Sequence, residues 1–313
     1  MPSVYKVHRP VIGGAEQVVF TLDDDASKPV LLILHGGPGE PMAPSLDELE
    51  DLARRFVVCV WEQRGAGMSY ESGKAQKLTI PLFVSDTVAV AEFLLKLFKR
   101  EKLLLMGFSW GTLLGLMAAA KAPHLFSAYI GVGQLADQAA SERDAYDDAL
   151  AKAKAAGDAK SVRFMTMAGA PPYSGKAAMN NIRKERAVLR KYSDNPAKSP
   201  SLLKYALKVF TCPYYRLGDK LNFFRGLTSG IALFDDVMKL RLIDEVPSVS
   251  VPVYVMQGKY DMQTRPEHAK ALVDKLDAPV KEFFLFDKAG HSPYGDDKEG
   301  FLKTLDSIIS TLS

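Results

Sequence analysis

The pattern that most constrains this chain is a series of short, almost wholly apolar runs that alternate along the sequence with helical periodicities. Val18–Leu22, Val30–Leu34, Val57–Trp61, Lys102–Met106, Ala128–Val132, Val253–Gln257 and Glu282–Phe286 are runs of this kind. A strand with one wet face alternates apolar and polar residues. A continuous run of Val, Leu and Ile belongs to a strand covered on both faces, as in a parallel sheet. Between these runs, Leu46–Arg55, Pro81–Arg100, Thr112–Lys121, Pro266–Leu276 and Lys298–Leu312 carry helical patterns. Strand alternating with helix predicts an α/β fold with a mostly parallel, doubly wound sheet. Val4–Val7 and Val18–Leu22 lie too close together for a helical crossover, so an antiparallel pair is expected at one edge.

The alternation stops near Gly133 and resumes near Val251. The stretch between is rich in Ala, Lys, Tyr and Phe, and predicts several helices broken at Gly169–Gly175, Asn195–Pro200 and Cys212–Pro213. At 313 residues the chain exceeds what one compact core usually holds. The expected organisation is a discontinuous core, residues 1–133 and 247–313, with a helical cap inserted over residues 134–246. Residues 137–241 carry 19 Lys/Arg against 11 Asp/Glu, so this insertion holds the basic excess of a chain whose formal charge is +3. A solvated helical surface accounts for that excess; a cap favouring anionic or polar ligands is the functional alternative.

Several function classes are disfavoured by composition. No dense Lys/Arg stripe suggests a nucleic-acid partner. Cys59 and Cys212 are too few and too far apart for a disulfide framework or a zinc site, and both read as reduced packing residues. The N-terminal MPSVYKVHRPVIGG lacks an apolar core of signal-peptide length, and no run reaches the ~18 apolar residues of a membrane span. A soluble cytoplasmic protein is the expectation.

The chemistry concentrates in three loops. In Lys102-Leu-Leu-Leu-Met-Gly107-Phe-Ser109-Trp-Gly111, a buried strand runs into a Gly-x-Ser-x-Gly turn and then a helix. A serine on that sharp turn is held in a strained conformation with its hydroxyl clear of the sheet. Side chains two positions away would clash, hence the flanking glycines. The N–H of Trp110, after the serine, points to where an oxyanion would form. The second loop, His35-Gly-Gly37-Pro-Gly39, follows the run Val30–Leu34 and leaves backbone N–H groups unshielded. Gly37 is the candidate second oxyanion donor, whereas His35 reads as a structural hydrogen-bonder. The third element is a pair: Asp261 follows Val253–Gln257, and His291 follows Glu282–Phe286. A serine hydroxyl is a poor nucleophile until an imidazole takes its proton and a carboxylate fixes that imidazole's tautomer. The order Ser109, Asp261, His291 suits this architecture. Asp137, after Ala128–Val132, is the competing acid.

HGGPG (35–39), WEQRGAGMS (61–69), GFSWGTLL (107–114), GKYD (258–261) and AGH (289–291) together resemble the α/β-hydrolase superfamily, and most closely its prolyl-iminopeptidase-like branch. The resemblance covers about residues 1–133 and 247–313. It implies a nucleophile at Ser109, a triad completed by Asp261 and His291, oxyanion donors at Gly37 and Trp110, and a helical cap after the sixth core strand. Two departures stand out. Glu62 occupies a position where that branch usually carries Asp. Aminopeptidases of this type also bind the substrate's amino group with cap glutamates, and the insertion holds only Glu142 and Glu185 before Glu245. Arg64 could clamp a substrate carboxylate, but reads better as a buried brace. Cap aromatics such as Tyr173, Tyr205, Tyr215, Phe223 and Phe234 suit core packing at helical spacing, with an acyl pocket as the alternative.

The reaction expected is hydrolysis of an ester or amide through an acyl-enzyme, with no metal and no organic cofactor. The substrate would be a small molecule or short peptide. An aminopeptidase acting on N-terminal proline or another small residue is one expectation. A carboxylesterase or amidase on small acyl groups is a second, and a non-catalytic ligand-binding protein of the same fold a third. An aspartate nucleophile, as in epoxide hydrolases, is disfavoured by the serine at 109.

Overall fold

The apolar runs meet side by side in one eight-stranded sheet. A computed structural model of the chain describes residues 6–71, 77–173, 178–196 and 202–312. The strands are β1 (Lys6–His8), β4 (Val18–Thr21), β5 (Val30–Leu34), β6 (Val57–Glu62), β7 (Leu103–Phe108), β8 (Phe126–Val132), β9 (Val253–Gly258) and β10 (Lys281–Phe286), while β2 (Val11–Ile12) and β3 (Ala15–Glu16) form a separate hairpin. The spatial order is β1-β4-β6-β5-β7-β8-β9-β10. From β6 to β10 every neighbour is parallel; β1 and β4 add the antiparallel edge that their short connection demanded. The hairpin has no counterpart among the expected elements, because two-residue strands leave almost no periodicity to read.

Helices cover both faces of the sheet, which is why its central strands lack alternation. In β5, Val30, Leu32 and Leu34 pack into a cluster with α2 (Ile80–Phe98) and α3 (Trp110–Lys121). Its Leu31 and Ile33 point the other way, toward α1 (Glu50–Ala53) and α12 (Lys298–Thr311). All five side chains are buried. α2 begins where Thr79 accepts a hydrogen bond from the Leu82 N–H, with Pro81 in its first turn, and ends at Lys99 in the left-handed region. α10 (Pro266–Lys275) and α11 (Pro293–Asp296) complete the core. The single helix expected over Leu46–Arg55 is instead a 3-10 segment, Ala43–Leu49, kinked at Ser45 (φ −123°) and leading into α1.

Between β8 and β9 lie α4 (Gln138–Ala155), α5 (Ala159–Ala168), α6 (Ala178–Lys191), α7 (Leu202–Thr211), α8 (Leu217–Met238) and α9 (Leu242–Glu245). Ala145, Tyr146, Ala149, Met165, Val188 and Leu189 give α4, α5 and α6 a small apolar cluster of their own. Leu233, Val237 and Leu242, by contrast, pack into the main core. The predicted break at Cys212–Pro213 separates α7 from α8; in the other two, residues 174–175 and 197–200 lie outside the described residues. Cys59 and Cys212 are free and buried. Among the described residues, no helix is long and apolar enough to cross a membrane.

Candidate active site

Ser109 sits between the last residue of β7 and the first of α3, at φ 52° and ψ −118°. A non-glycine residue there carries strain of order 1–3 kcal/mol, tolerated only where the surroundings over-determine the turn. The surroundings do so here. A Cβ on Gly107 would lie 2.4 Å from the Gly111 carbonyl oxygen, and one on Gly111 would lie 2.2 Å from the Leu34 oxygen. Strand, turn and helix can cross this closely only with hydrogen at both positions. The Ser109 N–H donates to Val132 O (2.9 Å), and the Thr112 hydroxyl donates to Ser109 O (2.6 Å).

Asp261 and His291 reach the serine from the ends of β9 and β10. The two loops are zipped together by Lys259 N–H to Phe286 O and Tyr260 N–H to Ala289 O, each 3.0 Å. Gly258 makes room for this, since a Cβ there would fall 1.8 Å from the Gly290 oxygen. His291 Nε2 stands 2.9 Å from Ser109 Oγ, and its Nδ1 stands 2.8 Å from Asp261 Oδ2. Asp261 is buried and its acceptors are filled: it also takes bonds from the Gln263 and Thr264 N–H groups, the Thr264 hydroxyl and the Gln257 amide. Burial opposes the charged form of both groups, but their mutual attraction outweighs it. Asp261 is held below the ordinary carboxylate value, helped by those backbone N–H groups, and His291 is raised above 6.5.

The glycine loop lies against the serine: a Cβ on Gly36 would be 3.3 Å from Ser109 Cβ. Gly37 adopts φ +114° and, with Ser109 and Trp110, lines a cavity of about 450 Å³. Trp110 opens α3, so its N–H precedes the first intrahelical bond and remains available. His35 is fully buried, and burial pushes its imidazole down to about 4. As a neutral ring it donates from Nδ1 to Gly36 O (2.8 Å) and accepts at Nε2 from the Gln63 N–H (3.0 Å). The Gln63 side chain donates to His35 O and accepts from Trp110 Nε1, each at 2.9 Å. Gln63 thus ties the glycine loop to the helix that follows the serine.

The remaining charged residues sort by their partners. Arg64 makes a buried two-pronged ion pair with Asp86 (2.7 and 2.9 Å) and donates to Ile12 O and Gly13 O, which makes it the expected brace. Asp137 caps α4 through the Ala140 N–H and pairs with Arg241, whereas the carboxylate touching His291 is that of Asp261. Glu62 is wholly buried, accepting from the Met68 N–H (2.7 Å) and from the Tyr215 hydroxyl beside α8; burial lifts its carboxyl to about 7.

The far wall of the cavity comes from the inserted helices, through Gln138, Arg186 and Phe234. Phe234 is thus the one of the cap aromatics named above that lines it; Tyr173, Tyr215 and Phe223 are buried. Glu142 is buried and engaged, accepting from Gln138 Nε2 (2.7 Å) and from Arg186. Glu185 is buried behind that pair, off the cavity lining, and burial together with the Glu142 charge raises it to about 7. Gln63, Glu40, Gln138 and Arg186 were not singled out in the sequence. Glu40 directly follows the HGGPG loop, a cue available from position alone; the others carry no local signature. Among the described residues, no group of three or more His, Cys, Asp or Glu side chains is arranged to hold a metal.

Comparison with known proteins agrees with this architecture. The profile of a family described as alpha/beta hydrolase fold matches residues 29–298. The Bacillus subtilis (strain 168) protein named "Probable aminopeptidase YbaC" is 30% identical over 298 residues, spanning 94% of this chain and 93% of its own. A proline iminopeptidase of Thermoplasma volcanium is 27% identical, spanning 90% of this chain and 89% of its own. A proline iminopeptidase-related protein from Thermus thermophilus matches in structure with a TM-score of 0.66 over 98% of each chain, at 21% identity.

Proposed function

The chain belongs to the α/β-hydrolase fold family, and from that membership we propose that it is a serine hydrolase cleaving an ester or amide through an acyl-enzyme on Ser109. The observation that carries the proposal is the unbroken relay from Ser109 Oγ to His291 Nε2 (2.9 Å) and from His291 Nδ1 to Asp261 Oδ2 (2.8 Å). His291 removes the serine proton as Oγ attacks the carbonyl carbon. Asp261 fixes the tautomer with the proton on Nδ1 and stabilises the imidazolium that forms. The N–H groups of Gly37 and Trp110 hold the oxyanion, and the start of α3 adds a favourable dipole. His291 then gives its proton to the leaving group. Water enters, is deprotonated by the same imidazole, and releases the acid.

We read residues 1–133 and 247–313 as the core that performs these steps and residues 134–246 as the cap that selects the acyl group. Relatives named aminopeptidase and proline iminopeptidase favour release of a small N-terminal residue, proline among them. One observation favours a small-acyl carboxylesterase or amidase instead. Glu142, a cap carboxylate that could meet a substrate ammonium, is already paired with Arg186. The deciding experiment compares turnover of p-nitrophenyl acetate and butyrate with that of prolyl- and alanyl-p-nitroanilide, wild type beside Ser109→Ala. Turnover is expected in the wild type alone. Activity surviving in Ser109→Ala would remove the nucleophile from the scheme, and ester turnover without anilide cleavage would remove the peptidase reading.

A further inference from the structure

Among the described residues, two charged side chains, Glu40 and Arg186, line the cavity at Ser109. Arg186 pairs with Glu142 through Nη2, while its buried Nη1 has no hydrogen-bond partner among the described residues. Glu40 has no cation within ion-pairing distance among the described residues; its Oε1 accepts a 2.6 Å hydrogen bond from the Tyr205 hydroxyl of α7. The cavity wall therefore offers one carboxylate that is held in place yet not neutralised.

Its position relative to the reacting atoms is set by the glycine loop. A Cβ on Gly37 would lie 3.3 Å from Glu40 Cβ and 2.8 Å from Glu40 N. Glu40 is thus the immediate neighbour of the residue whose N–H is assigned to the oxyanion. The loop has little freedom to swing away, since a Cβ on Gly39 would fall 2.2 Å from the Gly226 oxygen of α8. In an α-aminoacyl group the amino nitrogen is one carbon removed from the carbonyl. With the acyl carbonyl at Gly37, Glu40 is the lining carboxylate that such a nitrogen could reach. The charges of Glu40 and Arg186 both reach His291, with opposite effect.

We propose that Glu40, from the core's glycine loop, is the specificity residue that binds the ammonium of an α-aminoacyl substrate, in place of the cap glutamates Glu142 and Glu185. This assignment rests on the aminopeptidase reading above for its biological meaning, but the binding itself is separately testable. Glu40 Oε2 accepts from the ammonium, Oε1 keeps its bond from Tyr205, and Arg186 stays paired with Glu142 on the wall formed by the inserted helices. An ammonium–carboxylate hydrogen bond is among the strong class, so neutralising either partner should weaken binding roughly ten- to a hundredfold.

The test measures competitive inhibition of p-nitrophenyl propionate hydrolysis by alaninamide and by the neutral N-acetylalaninamide, near pH 7 where most α-amino groups are protonated. Wild type is expected to favour alaninamide, and Glu40→Gln, which preserves an acceptor for Tyr205, is expected to erase that preference by roughly ten- to a hundredfold. Taking the ratio of the two inhibition constants within each protein cancels any general loss of activity. An unchanged ratio in Glu40→Gln, or no inhibition of the wild type by alaninamide, would overturn the assignment. Cleavage of alanyl-p-nitroanilide by the wild type reports on the aminopeptidase reading independently. If that cleavage is absent while the ratio still depends on Glu40, the ammonium site stands and the peptidase reading falls.

Discussion

Replacing Glu62 by Gln should make the protein less stable below about pH 4 and more stable in mild alkali. Glu62 has no exposed surface, and burial raises its carboxyl from 4.5 to about 7. Between those values the folded protein holds a proton that the unfolded chain has released. Stability therefore falls as pH rises through the interval, because the folded state binds more protons there. The whole interval corresponds to about 3 kcal/mol, of which roughly 2 kcal/mol falls between about pH 5.5 and about pH 8.5. Glutamine keeps the shape and cannot ionise. Its oxygen can still accept from the Met68 N–H, but the Tyr215 hydroxyl loses its acceptor, at a cost of about 1 kcal/mol. The variant should thus be about 1 kcal/mol less stable than wild type below about pH 4, about equal to it near pH 5.5 and about 2 kcal/mol more stable near pH 8.5. Urea unfolding followed by the fluorescence of Trp61 and Trp110, both buried, would measure the difference. Other titrating groups, His291 included, are common to both proteins and cancel. A stability difference that stays constant across the range would refute the reasoning, since it would mean that Glu62 ionises alike in both states.

Three further outcomes follow from the buried charged groups. In the proposed mechanism His291 must be neutral to accept the serine proton, and its raised pKa places the acid limb of kcat/KM above pH 6.5 in the wild type. Asp261→Asn should lower kcat by about 10⁴ and shift the residual activity's acid limb downward; a limb that does not move would detach Asp261 from His291. Asp86→Ala should leave the Arg64 guanidinium buried without its carboxylate and cost roughly 3–5 kcal/mol in chemical denaturation, whereas a loss under about 1 kcal/mol would mean that water reaches the arginine.

The sheet was legible because its central strands are buried on both faces. β5 was placed residue for residue, and the β1/β4 edge followed from the length of a connection. The glycines around 107–111 and the loop positions of Asp261 and His291 were legible for a related reason: crossings this tight, and loops at strand ends, leave marks in local sequence. The cavity's far wall left none. Gln138, Arg186 and Phe234 come from α4, α6 and α8, and whether a helical side chain faces a cavity or packs against a neighbour depends on helix placement that no local pattern encodes. Glu142 illustrates the gap. The sequence left open whether it could meet a substrate amine, and its partner Arg186, 44 residues away, could not be assigned to it beforehand.

Gln63 governs how the site moves. Its amide is gripped at one end by the His35 carbonyl and at the other by the Trp110 indole, while its own N–H holds the His35 ring. Neither the glycine turn nor the start of α3 can tilt without dragging the other along. Shared hydrogen bonds of this kind resist a change in the spacing between Ser109 and the facing backbone N–H groups. A ligand arriving there meets a gauge already set, so the freezing of that coordinate belongs to the folding of the chain and not to the binding event.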